Sequence, residues 1–135
     1  MTENKLNVAR VHASIGVENY KVALTAGDHR FTADEPSAVG GADAGATPFQ
    51  LLLSGLAACT AITLRMYAGR KQWALRGVEV DCRLTRDADR EWIDRTLTLA
   101  GDLNEDQRKR LSDIAERTPV TLTLKRGTEI KTELR

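Results

Sequence analysis

Residues 47–64 read TPFQLLLSGLAACTAITL and contain no charged side chain. Thr47 can cap the amino end of a helix, Pro48 suits its first turn, and Gln50 completes a Thr-x-x-Gln capping box. Three basic residues follow where positive charge stabilises the carboxyl end of a helix: Arg65, Arg70 and Lys71. The pattern predicts one helix from residue 48 to about residue 70, roughly 33 Å long.

This predicted helix is apolar nearly all round, which is typical of a helix buried on more than one side. A membrane span is the alternative, but the uncharged stretch is slightly short for one and polar residues interrupt it. A single thin sheet from a chain of 135 residues would not cover such a helix. We therefore predict a homodimer with two such helices at its centre and no association with a membrane.

Alternating apolar and polar residues predict strands on both sides of the helix. The predicted strands are residues 6–14, 20–25, 29–33, 78–84, 92–99, 120–124 and 130–134. Asn104 and Gln107 predict the start of a second, amphipathic helix, which Pro119 would end. The last two strands would form a hairpin that turns near Gly127. The class is α+β, in one domain spanning residues 1–135.

Residues 34–47 join the third predicted strand to the long helix and carry one proline and three glycines. They predict a long surface loop, and loops of this length inside a small domain are often functional. Asp34 and Glu35 form either an acid pair or, directly before Pro36, the start of a turn.

Composition excludes several classes of function. The net charge of +1 and an aromatic content of 4% argue against a nucleic-acid binder. Two cysteines are too few for a secreted disulfide scaffold, and the first five residues lack the apolar core of a signal peptide, which predicts a cytoplasmic protein. His12 and His29 are the only histidines and no zinc-binding motif is present, so we predict no metal site.

The two cysteines differ in their predicted surroundings. Cys59 lies in the middle of the long helix, where a thiol is usually an inert core residue unless a cation and a path for substrate reach it. Gly55, one turn earlier, could make such room. Cys82 takes an inward position of a predicted strand, where packing in the core is the default.

Residues 33–73, ADEPSAVGGADAGATPFQLLLSGLAACTAITLRMYAGRKQW, resemble the OsmC/Ohr family of hydroperoxide-related proteins, and its OsmC-like branch in particular. The resemblance implies an OsmC-like fold, with antiparallel sheets wrapped around long central helices in an intertwined dimer. It also implies thiol-dependent reduction of peroxides, with Cys59 in the position of the peroxidatic thiol. No cofactor is expected beyond an external thiol or dithiol that restores the reduced state.

The chain departs from the family pattern at two positions. Thr118 stands where the resolving cysteine precedes a Pro-Val pair, and Phe49 stands where family peroxidases carry a glutamate. The family's activating arginine comes from the N-terminal strands, where Arg10 and Arg30 are candidates and His29 is a weaker one. The predicted substrate pocket consists of Phe49, Leu52, Gly55 and Leu56.

These departures leave three hypotheses. Cys59 could reduce peroxides and be resolved by an external thiol, or Cys82 could act as a displaced resolving cysteine. A third hypothesis is a protein without enzymatic activity that binds a small hydrophobic ligand at the dimer interface.

Overall fold

The computed structural model describes residues 5–135. The first four residues lie outside this range. They belong to the stretch from which we predict the absence of a signal peptide. Five strands and three α-helices follow one another: β1 (His12–Ser14), β2 (Val22–Ala26), β3 (His29–Ala33), α1 (Pro48–Lys71), β4 (Leu75–Arg86), β5 (Glu91–Gly101), α2 (Glu105–Ala115) and α3 (Pro119–Arg126). The predicted α+β class is confirmed.

The chain divides into two compact units, residues up to Leu51 and residues Leu52–Arg135. The division falls within α1. The single domain of residues 1–135 therefore stays a prediction.

The first unit holds a three-stranded antiparallel sheet in the order β1-β2-β3. β2 and β3 pair over their full length, with Leu24 opposite Phe31, and confirm the predicted meander. β1 is shorter than predicted, because only His12–Ser14 pair with β2. Leu6 and Val8 lie exposed outside the ladder, and an alternating pattern does not make a strand without a neighbouring strand to pair with.

The loop after β3 closes around the buried carboxylate of Asp34. Its two oxygens accept hydrogen bonds from the backbone N–H groups of Tyr20, Glu35, Ala42 and Ala44, at 2.7–3.3 Å. The loop backbone also approaches itself closely, since a Cβ on Gly41 would lie 2.0 Å from the Glu35 carbonyl oxygen. Asp34 therefore organises the turn that follows β3, which is the second of its two predicted alternatives, and the loop is an ordered structure.

Asp34→Asn should lower the thermal midpoint of unfolding by several degrees at neutral pH, because an amide NH₂ would face two backbone N–H donors. Burial raises the pKa of Asp34, but the four backbone N–H groups outweigh it and hold the pKa below its usual value. This stabilisation is present above the pKa of the unfolded chain and is lost as the pH falls through the lower folded value. The midpoints of the wild type and of the Asp34→Asn variant, measured by circular dichroism, should converge in acid.

Asp28→Asn is the matched control for this change, because Asp28 lies exposed in the turn between β2 and β3. It should leave the midpoint unchanged at every pH. A loss of stability in Asp34→Asn that persists unchanged in acid would contradict the role of the carboxylate.

The second unit is built on a long hairpin of β4 and β5, which pair from Leu75–Gly101 to Arg86–Glu91. Its core consists of Leu64, Ala68, Leu75, Leu111 and Ala115, contributed by α1, β4 and α2. The predicted start of α2 at Asn104 and Gln107 is confirmed, and these residues form a capping box in which each side chain accepts a hydrogen bond from the other residue's backbone N–H. The residues of α2 that we predict to point inward either belong to this core or contact it: Leu111, Ile114 and Ala115.

The predicted C-terminal hairpin is wrong. Residues Pro119–Arg126 form helix α3, because Thr118 caps its amino end by accepting a hydrogen bond from the Thr121 N–H and Pro119 occupies its first turn. Three alternating residues are too few to distinguish a strand from a short helix. Residues 127–135 form no regular structure, and Ile130 and Leu134 remain 85% and 96% exposed.

Candidate functional site

Helix α1 begins with the predicted capping box: Thr47 and Gln50 exchange hydrogen bonds of 2.9 and 3.2 Å between side chain and backbone. Its buried residues recur every fourth position, at Leu56, Thr60, Leu64 and Ala68. The opposite face is exposed and almost entirely apolar; within the second unit it consists of Leu52, Gly55, Ala58, Ile62 and Met66. We call these five residues the apolar stripe. In a single chain, α1 is therefore buried on one side rather than on several.

Among residues 5–135, α1 is the one helix long and apolar enough to cross a membrane by length and composition. This is weak support for a membrane span, since the core helix of a globular unit passes the same test. The buried face of α1 packs into the core of its own unit.

Cys59 lies on α1 between the buried face and the apolar stripe. Its thiol is half-buried and free, and its Sγ atom lies 4.0 Å from the hydroxyl of Thr63, one turn further along the helix. Cys59 is about three turns from the start of α1, too far for the helix dipole to act on it appreciably. The residue is therefore partly accessible to solvent.

The other predicted site residues are distributed over both units. Arg10 precedes β1 and is exposed, as are His29 and Arg30 on β3. Phe49 and Leu52 expose about half of their side chains, whereas Leu56 is buried. A Cβ on Gly55 would meet open space. The roles of these residues in activating Cys59 and in lining a pocket stay predictions.

An open groove of about 430 Å³ lies elsewhere in the second unit, between β5 and α2. It is lined by Leu97, Leu99, Glu105, Asp106, Arg108, Lys109 and Ser112. None of the predicted pocket residues belongs to it.

A residue absent from the sequence-based prediction dominates the polar interior of the second unit. The side chain of Arg95, on β5, is only 11% exposed. Its Nη1 atom donates to the hydroxyls of Thr60 on α1 and Thr121 on α3, at 3.0 and 2.9 Å. Its Nη2 atom donates to the carbonyl of Ala115 at 2.8 Å and to the carboxylate of Glu116 at 3.2 Å. Arg95 thereby connects all three helices.

Thr118 is part of the same network. It is fully buried, and its hydroxyl lies 2.6 Å from that of Thr121. The Thr60 hydroxyl also donates to the carbonyl of Leu56 at 2.7 Å. In residues 5–135 no buried side-chain oxygen or nitrogen lacks a hydrogen-bond partner. The position predicted from the family for a resolving thiol therefore holds a hydroxyl group engaged in a satisfied polar network.

A signal for Arg95 is present in the sequence. The predicted inward face of β5 contains Ile93, Leu97 and Leu99, and the period of two places residue 95 on that same face. A charged side chain on a buried face is unusual and requires partners to satisfy it. Those partners come from three helices, and nothing local in the sequence indicates which ones.

Cys82 lies half-buried on β4, directly across the ladder from Arg95, and its thiol is free. Burial and the nearby Asp81 carboxylate raise the pKa of Cys82, and the charge of Arg95 counteracts them only in part. The thiol is therefore a poorer nucleophile at neutral pH than an ordinary exposed cysteine.

Comparison with known proteins agrees with this architecture. The chain resembles an OsmC-like protein of Mycoplasma pneumoniae (21% identity, 88% of each chain covered, TM-score 0.76). It also resembles organic hydroperoxide resistance proteins of Legionella pneumophila (22% identity, 90% of this chain and 91% of that one, TM-score 0.63) and Elizabethkingia anophelis (17% identity, 90% and 91%, TM-score 0.61). At these identities the likeness shows the fold alone.

No match was found among curated protein sequences. The family model described as OsmC-like protein, however, matches residues 40–133, which is more than half of the chain and includes α1, the hairpin and both later helices. Together with the fold, this match shows that the chain belongs to the OsmC-like protein family.

Proposed function

We propose that this protein reduces organic peroxides or hydrogen peroxide with Cys59 as the reacting thiol. The observation that carries the proposal is the state of Cys59: a free, half-buried thiol on the long helix of an OsmC-like fold, beside an exposed apolar stripe. Relatives of the same fold are named organic hydroperoxide resistance proteins, which supports a peroxide-related role.

In the first step the Cys59 thiolate attacks the terminal oxygen of the peroxide ROOH. The S–O bond forms as the O–O bond breaks, and the departing alkoxide takes a proton to give ROH. The sulfur is oxidised to a sulfenic acid and the peroxide is reduced to an alcohol. Arg10 or Arg30 is the proposed cation that favours the thiolate, as the family resemblance implies.

In the second step an external thiol resolves the sulfenic acid. A thiol R′SH forms a mixed disulfide with Cys59 and releases water, and a second thiol then displaces Cys59 as a thiol and leaves as R′SSR′. This route is favoured because Thr118 has no sulfur to offer and burial raises the pKa of the remaining thiol, Cys82.

The first experiment mixes the reduced protein with cumene hydroperoxide and traps sulfenic acid on Cys59 for mass spectrometry. We expect a trapped adduct on Cys59 and consumption of the peroxide. Cys59 that stays a thiol while peroxide is not consumed would contradict the proposed reaction.

A ligand-binding protein is the second candidate function. Phe49 occupies the position where the family's peroxidases carry a glutamate, and its side chain is half exposed at the start of α1. An apolar ring at this position can contact a small hydrophobic ligand, whereas it cannot replace the charge of a catalytic glutamate. Binding of such a ligand by a protein that does not consume peroxide would favour this function.

We further propose that the protein is a homodimer in which the apolar stripe packs against a second copy. A long helix with an exposed apolar face is unstable in water unless another surface covers it. Cys59 borders this stripe, so the reacting thiol would lie at the edge of the dimer interface. Light scattering should therefore give twice the mass of one chain.

Ile62→Glu should convert this dimer to a monomer, because it would bury an unpaired carboxylate in the interface. Val39→Glu is the matched control, since Val39 is 59% exposed and Ile62 55% exposed in the single chain. We expect light scattering to give a monomer for the first variant and a dimer for the second. A wild-type protein that is monomeric at micromolar concentration would contradict the proposal.

A further inference from the structure

The network around Arg95 is the largest buried polar feature of the second unit, and the proposed reaction does not use it directly. Arg95 joins Thr60 on α1 to Thr121 on α3 and to the end of α2 through four hydrogen bonds. Thr60 is the residue directly after Cys59. The guanidinium therefore holds α1 one residue away from the reacting thiol.

Stability alone does not explain a buried arginine in this position. Burying an ion pair or a charged side chain costs desolvation energy, and well-packed apolar residues of similar volume often serve equally well or better. A guanidinium differs from an apolar side chain in that its hydrogen bonds are directional. Its planar arrangement of N–H groups fixes the positions of several acceptors at once. Because one acceptor lies on α1 and the others on α2 and α3, the network restrains rotation of α1 about its own axis.

We propose that Arg95 is a positioning residue that sets the rotation of α1 through Thr60 and thereby fixes the direction in which the Cys59 sulfur points. The inference rests on the proposed peroxide reduction. Side-chain atoms lie roughly 5–6 Å from a helix axis, so a rotation of about 10° moves the sulfur by about 1 Å. A misplacement of about 1 Å can cost about a hundredfold in the rate of a reaction that depends on alignment.

The test compares two reactions of the same thiol. Oxidation of Cys59 by cumene hydroperoxide requires alignment of sulfur with the O–O bond in a bound substrate, whereas alkylation by iodoacetamide requires only an accessible thiolate. The ratio of the two rates, followed at Cys59 by mass spectrometry, cancels changes in thiolate fraction and in general exposure. A merely structural loosening would change both rates together and leave the ratio constant.

Arg95→Met should lower this ratio about tenfold or more, and Arg95→Lys should give an intermediate value because an ammonium retains the charge without the planar fork. Thr60→Val removes the hydrogen bond from Arg95 to α1, together with the bond from the Thr60 hydroxyl to the Leu56 carbonyl within α1, and should lower the ratio several-fold. Arg83→Met is the matched control, since Arg83 lies exposed on the neighbouring strand β4. It should leave the ratio unchanged within about twofold.

The possible outcomes separate the two proposals. Oxidation of wild-type Cys59 together with an unchanged ratio in folded Arg95→Met would overturn the role of Arg95 and leave the proposed function standing. Absence of oxidation in the wild type would overturn both. If Arg95→Met does not fold, the conservative Thr60→Val variant tests the positioning role instead. An unchanged ratio of the two rates in that variant would overturn the role.

Discussion

Cys59→Ser should abolish peroxide consumption, with a loss of at least about a thousandfold in rate. A serine hydroxyl is not ionised at neutral pH and its oxygen does not form a sulfenic acid, so the first step of the proposed reaction has no nucleophile. The substitution is nearly isosteric, and the Cys59 sulfur makes one polar contact, 4.0 Å long, to Thr63. We therefore expect the variant to keep the fold and the thermal midpoint of the wild type. Peroxide consumption is measured directly, with dithiothreitol as the reductant.

Cys82→Ser is the matched control, because it removes the other thiol of the chain from a half-buried position on the adjacent hairpin. Turnover should remain within about twofold of the wild type if an external thiol resolves Cys59. Loss of turnover in both single variants would instead identify Cys82 as the displaced resolving cysteine. Full activity in Cys59→Ser would contradict the proposed function itself.

Thr118→Cys should introduce the two-cysteine cycle that the family resemblance implies. With a thiol at position 118, the sulfenic acid at Cys59 should be captured within the same molecule, and an intramolecular partner is far more effective than a dilute external thiol. We expect a disulfide between Cys59 and the introduced thiol after one equivalent of peroxide, and turnover with a limiting monothiol that rises about tenfold or more. Peptide mapping after peroxide treatment identifies the disulfide.

The same substitution carries a structural cost. Thr118 caps α3 and its hydroxyl contacts that of Thr121, so the loss of the cap should lower the free energy of unfolding by about 1 kcal/mol. Thr121→Cys is the control, since it places a thiol of equal size one helical turn later in the same network. A disulfide that forms as readily from position 121 as from 118, or from neither, would contradict the assignment of Thr118 to the resolving position.

The elements predicted correctly are those whose signals are local in the chain. The predicted capping box at Thr47 and Gln50 and the predicted helix start at Asn104 and Gln107 each lie within four residues, and both appear in the structure. The hairpin of β4 and β5 follows from two long alternating runs joined by a turn in which Asp87 accepts hydrogen bonds from the N–H groups of Asp89 and Arg90. Such signals are readable because the atoms that stabilise the structure are neighbours in sequence.

The incorrect element shows the limit of periodicity. Val120, Leu122 and Leu124 alternate like a strand, but Thr118 and Pro119 start a helix and no strand in residues 5–135 pairs with them. A strand depends on a partner elsewhere in the chain, whereas a capped helical turn satisfies its own backbone groups. The cap rather than the alternation therefore decides the structure of this short segment.

By itself the sequence determined the class, the long apolar helix that carries Cys59 and, through the family resemblance, the chemistry to test. Only the tertiary structure decided how the charged and polar residues are used. Asp34 accepts hydrogen bonds from three backbone N–H groups of its loop and from that of Tyr20, and Arg95 connects three helices and contacts the residue next to Cys59. The physical reason is the distance along the chain over which each kind of interaction acts. Hydrophobic periodicity and caps act over a few residues, whereas a buried charge is satisfied by acceptors or donors that chain folding brings from distant positions.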